Sequence, residues 1–283
     1  MFGHRSDGRR LKTLSPFFRV IPNVMLERSD SQVYFKQDIM LKYMDEYIDK
    51  KATEGIKLSY MNIIYAAMVR IVAERPQLNR FAMNGSIYAR NEILVSLAIK
   101  KSLSDESEET TIKLPFTGEE NIFEIKEKLD KAIEDNKKVT TENSTDRLAK
   151  TLSLVSDGTL RRIVKFLGFL DKHGIMPKAA INASPFHTSL FLTNVGSLGI
   201  DSIYHHLYNF GTTSLFFAMG KKKKSFLYED EEIREEKCIT IAFVGDERIC
   251  DGYYFANSFK LLTKYLKKPE LLEEHAQAKS DIR

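Results

Sequence analysis

Gly245-Asp246-Glu247-Arg248-Ile249-Cys250-Asp251-Gly252 joins the apolar run from Cys238 to Val244 to a segment where Phe255, Phe259, Leu262 and Leu266 recur at helical spacing. The run reads as a buried strand and the segment after it as an amphipathic helix, so the charged octapeptide is a strand-to-helix turn. Strand ends of this kind often display reactive side chains. Cys250 offers a thiol beside Asp251, but no histidine is near it in sequence, and a packed thiol is the expectation.

Working back from this turn, Thr213 to Met219 and Ser189 to Val195 read as further strands. Between Met219 and Cys238 lies a charged hairpin with Lys221 to Lys224 on one arm and Glu229 to Glu236 on the other. Lys221 and Lys222 are candidates for holding an anionic cofactor, set against a solvated hairpin neutralised by its own acidic arm. Residues 151–183 differ: Leu160, Ile163, Val164, Phe166, Leu167 and Leu170 share one helical face opposite Arg161, Arg162, Lys165 and Lys172. That helix is expected to pack in the core, to cover a tunnel, or to touch an anionic membrane surface through 160–172.

Earlier in the chain, Val33 to Asp38 reads as a strand followed by a helix to Gly55. Ser59 is positioned to cap a largely buried helix ending at Pro76. Asn84-Gly85 marks a hairpin, and Ile93 to Ile99 is another strand. A polar loop is expected from Ser102 to Glu109, a strand from Thr111 to Phe116, a helix with Ile122, Ile125, Leu129 and Ile133 inward, and a polar loop over Glu134 to Arg147. Phe17 to Leu26 reads equally as a helix or a docked arm. The tail from Pro269 is expected to fray.

With 283 residues, 43 Lys and Arg against 39 Asp and Glu, and 43% hydrophobic residues, the chain has the composition of a globular protein and excludes disorder, collagen and coiled coil. A net charge of +4 gives no field suited to nucleic acid. The two cysteines fit neither a disulfide framework nor a ligand set, and the amino terminus lacks the apolar core of a signal peptide, so a cytoplasmic location is expected. HExxH, phosphate-loop and GxSxG patterns are absent from the sequence, and no metal is expected.

The strand, xxx-Asp-Gly and helix order resembles the HxxxDG motif of the chloramphenicol acetyltransferase and dihydrolipoyl acyltransferase superfamily. Leu192-Thr193-Asn194-Val195-Gly196-Ser197-Leu198-Gly199-Ile200 is similar to its Ser-Asn-Leu-Gly segment. Phe217-Ala218-Met219-Gly220-Lys221 is similar to the strand entering its last hairpin, and Arg75-Pro76-Gln77-Leu78-Asn79 to its turn after the second helix. The resemblance covers residues 15–268, behind a basic arm (1–14) and ahead of a charged tail (269–283), with 151–183 as an amphipathic insertion. It implies an α/β two-layer sandwich with a mixed sheet, assembling as a homotrimer with active sites between subunits.

The resemblance also implies acyl transfer from a coenzyme A thioester to a small-molecule acceptor. Thr193 would stabilise the oxyanion, Asn194 would belong to the site's frame, and Asp251 would brace the catalytic loop through an arginine, with Arg19 as partner and Arg10 as competitor. Gly252 would allow a tight turn into the last helix. The general base of the family is a histidine, and Glu247 stands in its place. An imidazole titrates near 6.5 and a solvated carboxylate near 4.3, so the replacement is a weaker base. Glu247 is therefore either a variant general base or, in an inert site, a group that holds Arg248 or a neighbouring subunit; the chain would then be a trimeric binding or scaffold protein. His187, His205 and His206 are alternative bases, each also explicable as a polar loop residue. The chain shows neither a lipoyl domain nor an Ala/Pro-rich linker, so a free-standing enzyme is expected and no lipoyl group on this chain.

Overall fold

The computed structural model describes residues 5–100, 109–137, 143–229 and 231–282. In chain order the elements are β1 (Gly8–Arg10), α1 (Pro16–Val24), β2 (Gln32–Met40), α2 (Lys42–Thr53), α3 (Tyr60–Glu74), β3 (Arg80–Met83), β4 (Ser86–Arg90), β5 (Ile93–Lys100), β6 (Glu109–Phe116), α4 (Ile122–Lys137) and α5 (Ser144–Ser153). Then come α6 (Asp157–Lys172), α7 (Lys178–Ala183), β7 (Leu190–Asn194), β8 (Leu215–Glu229), β9 (Glu232–Asp246) and α8 (Gly252–Lys267).

Six strands form one sheet in the order β2-β9-β8-β7-β5-β6. The β5–β7 and β7–β8 pairs are parallel and the others antiparallel, so the sheet is mixed, as expected. Its strands alternate. Leu190, Leu192, Leu215, Phe217, Ile241 and Phe243 belong to the main core with residues of α2, α3, α4 and α8, while Phe191, Phe216 and Val244 form a second cluster with Leu207. Helices thus cover one face, and the segment after β7 covers part of the other. α3 is buried almost throughout, from Asn62 to Ala73. Its first turn is closed by reciprocal bonds between Ser59 and Asn62, a capping box.

A three-stranded sheet, β1-β4-β3, carries the amino-terminal arm. Asn84 and Gly85 both have positive φ, 48° and 70°, which gives the tight hairpin the Asn-Gly pair led one to expect. Phe17 to Leu26 resolves into helix α1, and the Asn23 amide of α1 donates to the Gly85 carbonyl.

Two expectations are corrected, and a third falls almost wholly outside the described residues. The stretch Glu134 to Arg147 is not a simple loop. α4 continues to Lys137, and Asn143 caps α5 from Ser144, because Asn143 and Asp146 exchange capping bonds that a reading of polarity alone cannot recognise; residues 138–142 lie outside the described residues. The loop expected from Ser102 to Glu109 lies outside them up to residue 108, and Glu109 opens β6. The carboxyl-terminal tail does not fray: Pro269, Leu272 and Ala276 are buried, Lys51 bridges to Glu273 at 2.9 Å, and Asp281 is anchored to Arg80.

The amphipathic helix α6 packs only part of its apolar face. Leu160, Ile163, Leu167 and Leu170 are half-buried, whereas Phe166 and Phe169 remain more than half exposed. Among the described residues, no helix is long and apolar enough to cross a membrane.

Candidate active site

Glu247 leaves the end of β9, and its backbone N–H donates to the Ser31 carbonyl at 2.9 Å. Among the described residues its half-buried carboxylate has no ion pair and no hydrogen-bond partner. Arg248 turns away from it. The Arg248 guanidinium grips Asp246 with two bonds, Nε to Oδ1 at 2.8 Å and Nη2 to Oδ2 at 2.7 Å, and its Nη1 donates to the Met25 and Leu26 carbonyls. This corrects the inert alternative in which Glu247 serves to hold Arg248.

Asp246 is the hub of the turn. Fully buried, it also accepts from Ser31 Oγ at 2.9 Å and lies 3.5 Å from Arg28 Nε. Arg28 donates onward to the Tyr208 and Ala82 carbonyls. Burial, with only part of the loss returned by Asp246, pushes the Arg28 guanidinium down to about 10. A cleft of about 290 Å³ opens beside Arg28 and Arg248, bordered by Leu26, Glu27 and Lys172.

The bracing role assigned to Asp251 is also corrected. Asp251 caps α8, accepting from the Tyr254 N–H at 2.7 Å, and among the described residues it pairs with neither Arg19 nor Arg10. A carboxylate at this position satisfies an otherwise orphaned helix donor, and the work of fixing the loop passes to Asp246. Gly252 begins α8 without a positive φ, and nothing lies within 4 Å of where its Cβ would stand, so the tight-turn role falls away. Close contact does require a glycine at Gly196, whose Cβ would meet the Gly220 carbonyl at 2.4 Å where the loop after β7 crosses β8.

Thr193 lies on β7, paired with Ala98 and Ala218, and Ala218 pairs in turn with Ala242. By alternation its side chain is on the face away from the main core. Among the described residues no partner takes its hydroxyl. Asn194 folds its side-chain oxygen onto the Ser197 N–H at 3.2 Å and so shapes the turn after Thr193. Glu247 is five residues beyond Ala242 and two strands over from Thr193. At about 3.3 Å per residue and 4.8 Å per strand the two are roughly 19 Å apart within one chain. One protomer does not bring them together.

The other candidates find local partners. His205 stacks on Phe216 at 4.1 Å and on His206 at 4.7 Å. Cys250 is buried, and burial pushes its thiol well above the ordinary range, as befits a packed thiol. Lys222 lies over the Tyr60 ring at 4.2 Å, Lys223 reaches Asp201 at 2.8 Å, and Lys224 pairs with Glu235 at 2.7 Å. The open cleft there is also lined by Asp45 and Asp49, which repel phosphate, so the geometry favours a neutralised hairpin over a cofactor site at Lys221 and Lys222.

His187 is completely buried in a relay with Ser184 (Nδ1 to Oγ, 2.8 Å) and Asp171 (Nε2 to Oδ2, 3.2 Å), with Arg5 closing over Asp171. All four groups are under 9% exposed, so the relay locks the amino-terminal arm and α6 to the body and is closed to a substrate. Burial lowers the His187 pKa from its ordinary value, against the pull of Asp171. Asp171 is itself held low: burial opposes this, but the His187 bond and the Arg5 charge prevail. The unfolded chain therefore takes a proton at this histidine below about pH 6.5 while the folded chain does not, and stability falls as pH drops through that range by at most about 1.4 kcal/mol per unit. Protonation of Asp171 removes more below its ordinary carboxylate range. His187→Gln is expected to flatten the decline in melting temperature between pH 6.5 and 5. Parallel curves for the two proteins would rule out this titration.

Arg80, Asp246 and Asp281 escaped sequence reading. Asp246 and Arg248 sit inside the motif, but a pair two residues apart at a turn has no periodic signature. Arg80 and Asp281 meet across 201 residues.

Residues 183–273 match the family of 2-oxoacid dehydrogenases acyltransferase (catalytic domain). That span holds β7, β8, β9, the motif loop and α8. Solved structures extend the likeness over nearly the whole chain as a matter of fold. A protein described as "probable dihydrolipoamide acetyltransferase" from Listeria monocytogenes 4b F2365 is 14% identical, with TM-score 0.56 over 97% of this chain and 98% of its own. A truncated catalytic core of the 2-oxoacid dehydrogenase multienzyme complex from Thermoplasma acidophilum is 11% identical, with TM-score 0.56 over 92% and 99%. A chloramphenicol acetyltransferase is 10% identical, with TM-score 0.56 over 92% and 100%. No curated protein sequence matches the chain. The fold is thus the chloramphenicol acetyltransferase-like α/β sandwich, and the likeness in sequence to the acyltransferase family's model is confined to residues 183–273.

Proposed function

We propose that this chain, whose residues 183–273 match the acyltransferase catalytic domain of 2-oxoacid dehydrogenases, transfers an acyl group from a coenzyme A thioester to a thiol or hydroxyl acceptor at sites shared between protomers of a homotrimer. Glu247 is the general base and Thr193 the oxyanion donor. The observation that carries the reading is the separation of these two groups: among the described residues neither side chain has a partner, and within one chain they lie roughly 19 Å apart. A neighbouring copy is the simplest source of the missing half.

In the reaction, the Glu247 carboxylate takes the proton of the acceptor as its sulfur or oxygen attacks the thioester carbonyl. The carbonyl oxygen becomes an oxyanion, and the Thr193 hydroxyl donates a hydrogen bond to it. Collapse breaks the carbon–sulfur bond, and the departing thiolate recovers the proton from Glu247. The Asp246–Arg248 pair holds the turn that carries the base. Exposed apolar residues on α1, Phe17, Val20 and Val24, are each more than half exposed and flank the segment Met25–Leu26 that Arg248 grips, which suits them to cover by a second copy.

Complementation tests this arrangement. Thr193→Val and Glu247→Gln should each inactivate the protein alone. Co-expressed in equal amounts, they should regain about one quarter of wild-type turnover, because in a randomly assembled cyclic trimer one site in four draws both intact residues from different protomers. A monomer in solution, or no recovery on mixing, would reject the shared site.

A further inference from the structure

We propose that the carboxyl-terminal segment positions the motif loop through Arg80, with Asp281 as the anchor and the Ile249 carbonyl as the point of control. Arg80, the first residue of β3, is 3% exposed and directs its three nitrogens at two remote segments. Nε and Nη2 donate to the two oxygens of Asp281 at 2.6 and 2.7 Å, and Nη1 donates to the Ile249 carbonyl at 3.2 Å. Such a two-pronged pair fixes the plane of the guanidinium, not merely its distance. With that plane set by Asp281, the remaining donor points at the carbonyl midway between Glu247 and Asp251.

The Asp246 network holds the amino-terminal half of the turn, and Arg80 ties the second half to a remote segment of the chain. The anchor belongs to a segment that folds back over the body through the Ala276 N–H to the Glu119 carbonyl and the Lys279 N–H to the Ala73 carbonyl. Its last residues, Ala278 to Asp281, border a cleft of about 650 Å³. Arg9 adds a long bond to the Asp281 carbonyl, 3.4 Å. Without the carboxylate, a buried guanidinium would be left with one carbonyl partner and no fixed plane, loosening its hold on Ile249.

The catalytic consequence rests on the acyltransferase reading above; the structural one does not. Hydrogen exchange over 246–251 separates them, since the Glu247, Arg248 and Ile249 amides are all bonded in this turn. In Asp281→Asn, exchange in this stretch should rise about tenfold with α3 and β8 unchanged, and kcat should fall about tenfold with KM for the thioester steady, as for a misplaced base. Asp281→Glu should restore both in large part. A chain ending at Ser280 should behave like Asp281→Asn. Unaltered exchange over 246–251, or acceleration spread evenly over the chain, would overturn the latch. A local rise in exchange with unchanged kcat would overturn its positioning role. A wild-type protein with no acyl transfer at all would instead overturn the acyltransferase reading, and the exchange comparison would still decide whether the latch exists.

Discussion

Glu247→Gln is expected to lower acyl-CoA-dependent release of CoA thiol by about 10²–10⁴-fold, the usual worth of a positioned general base. Glutamine keeps the volume and can still hydrogen-bond, but it cannot accept the acceptor's proton. The replacement should also be structurally quiet. The Glu247 side chain holds no described partner, and the Arg248 beside it is committed to Asp246. A fall in turnover with an unchanged melting temperature therefore isolates the chemistry. Turnover equal to wild type would remove Glu247 from the mechanism. Absence of turnover in both proteins, followed by its appearance in Glu247→His, would identify a fold that has lost its base.

The largest effect on stability is expected at Asp246. This carboxylate has no exposure to solvent and is the only acidic group found bonded to Arg248 or bridged to Arg28 among the described residues. Asp246→Ala removes the carboxylate bonded to Arg248, the largest attractive charge on Arg28 and this acceptor of the Ser31 hydroxyl. Breaking a buried ion pair from one side costs about 3–5 kcal/mol. For a chain of this size that corresponds to roughly 10 °C in melting temperature. Asp246→Asn keeps an oxygen for Ser31 and should recover only a minor part, because the charge is what offsets the buried arginines. A melting temperature within about 2 °C of wild type for the alanine variant would show that water reaches the arginines and that the network is weaker than its burial implies.

The same network explains why the roles implied for Asp251 and Arg19 did not survive. From the chain alone, the aspartate before Gly252 was the natural brace, since it fills the motif position. Helix α8 starts directly after it, and an aspartate there is drawn to the free N–H groups of the first turn. Its neighbour five residues earlier, Asp246, still lies within β9, where its side chain turns toward buried arginines. Which of two nearby aspartates meets an arginine depends on where strand ends and helix begins, and pattern fixes that boundary poorly.

Much of the architecture was legible because it rests on local rules. The apolar runs at Ser189 to Val195, Thr213 to Met219 and Cys238 to Val244, the Ser59 cap and the Asn84-Gly85 turn each state their conformation within a few residues. Together with the motif order they determined the strand-to-helix turn, the mixed α/β sandwich and the family likeness. Tertiary structure alone decided which charges meet: Arg248 with Asp246 rather than Glu247, Arg5 with Asp171, and Arg80 with Asp281. It also decided that the tail docks and that Thr193, on β7, lies two strands away from the strand that Glu247 follows. The physical reason is range. Backbone conformation and apolar periodicity are fixed by neighbours along the chain, whereas a buried charge is stabilised by whichever partner the completed fold brings within about 3 Å, and no spacing in the sequence encodes that meeting.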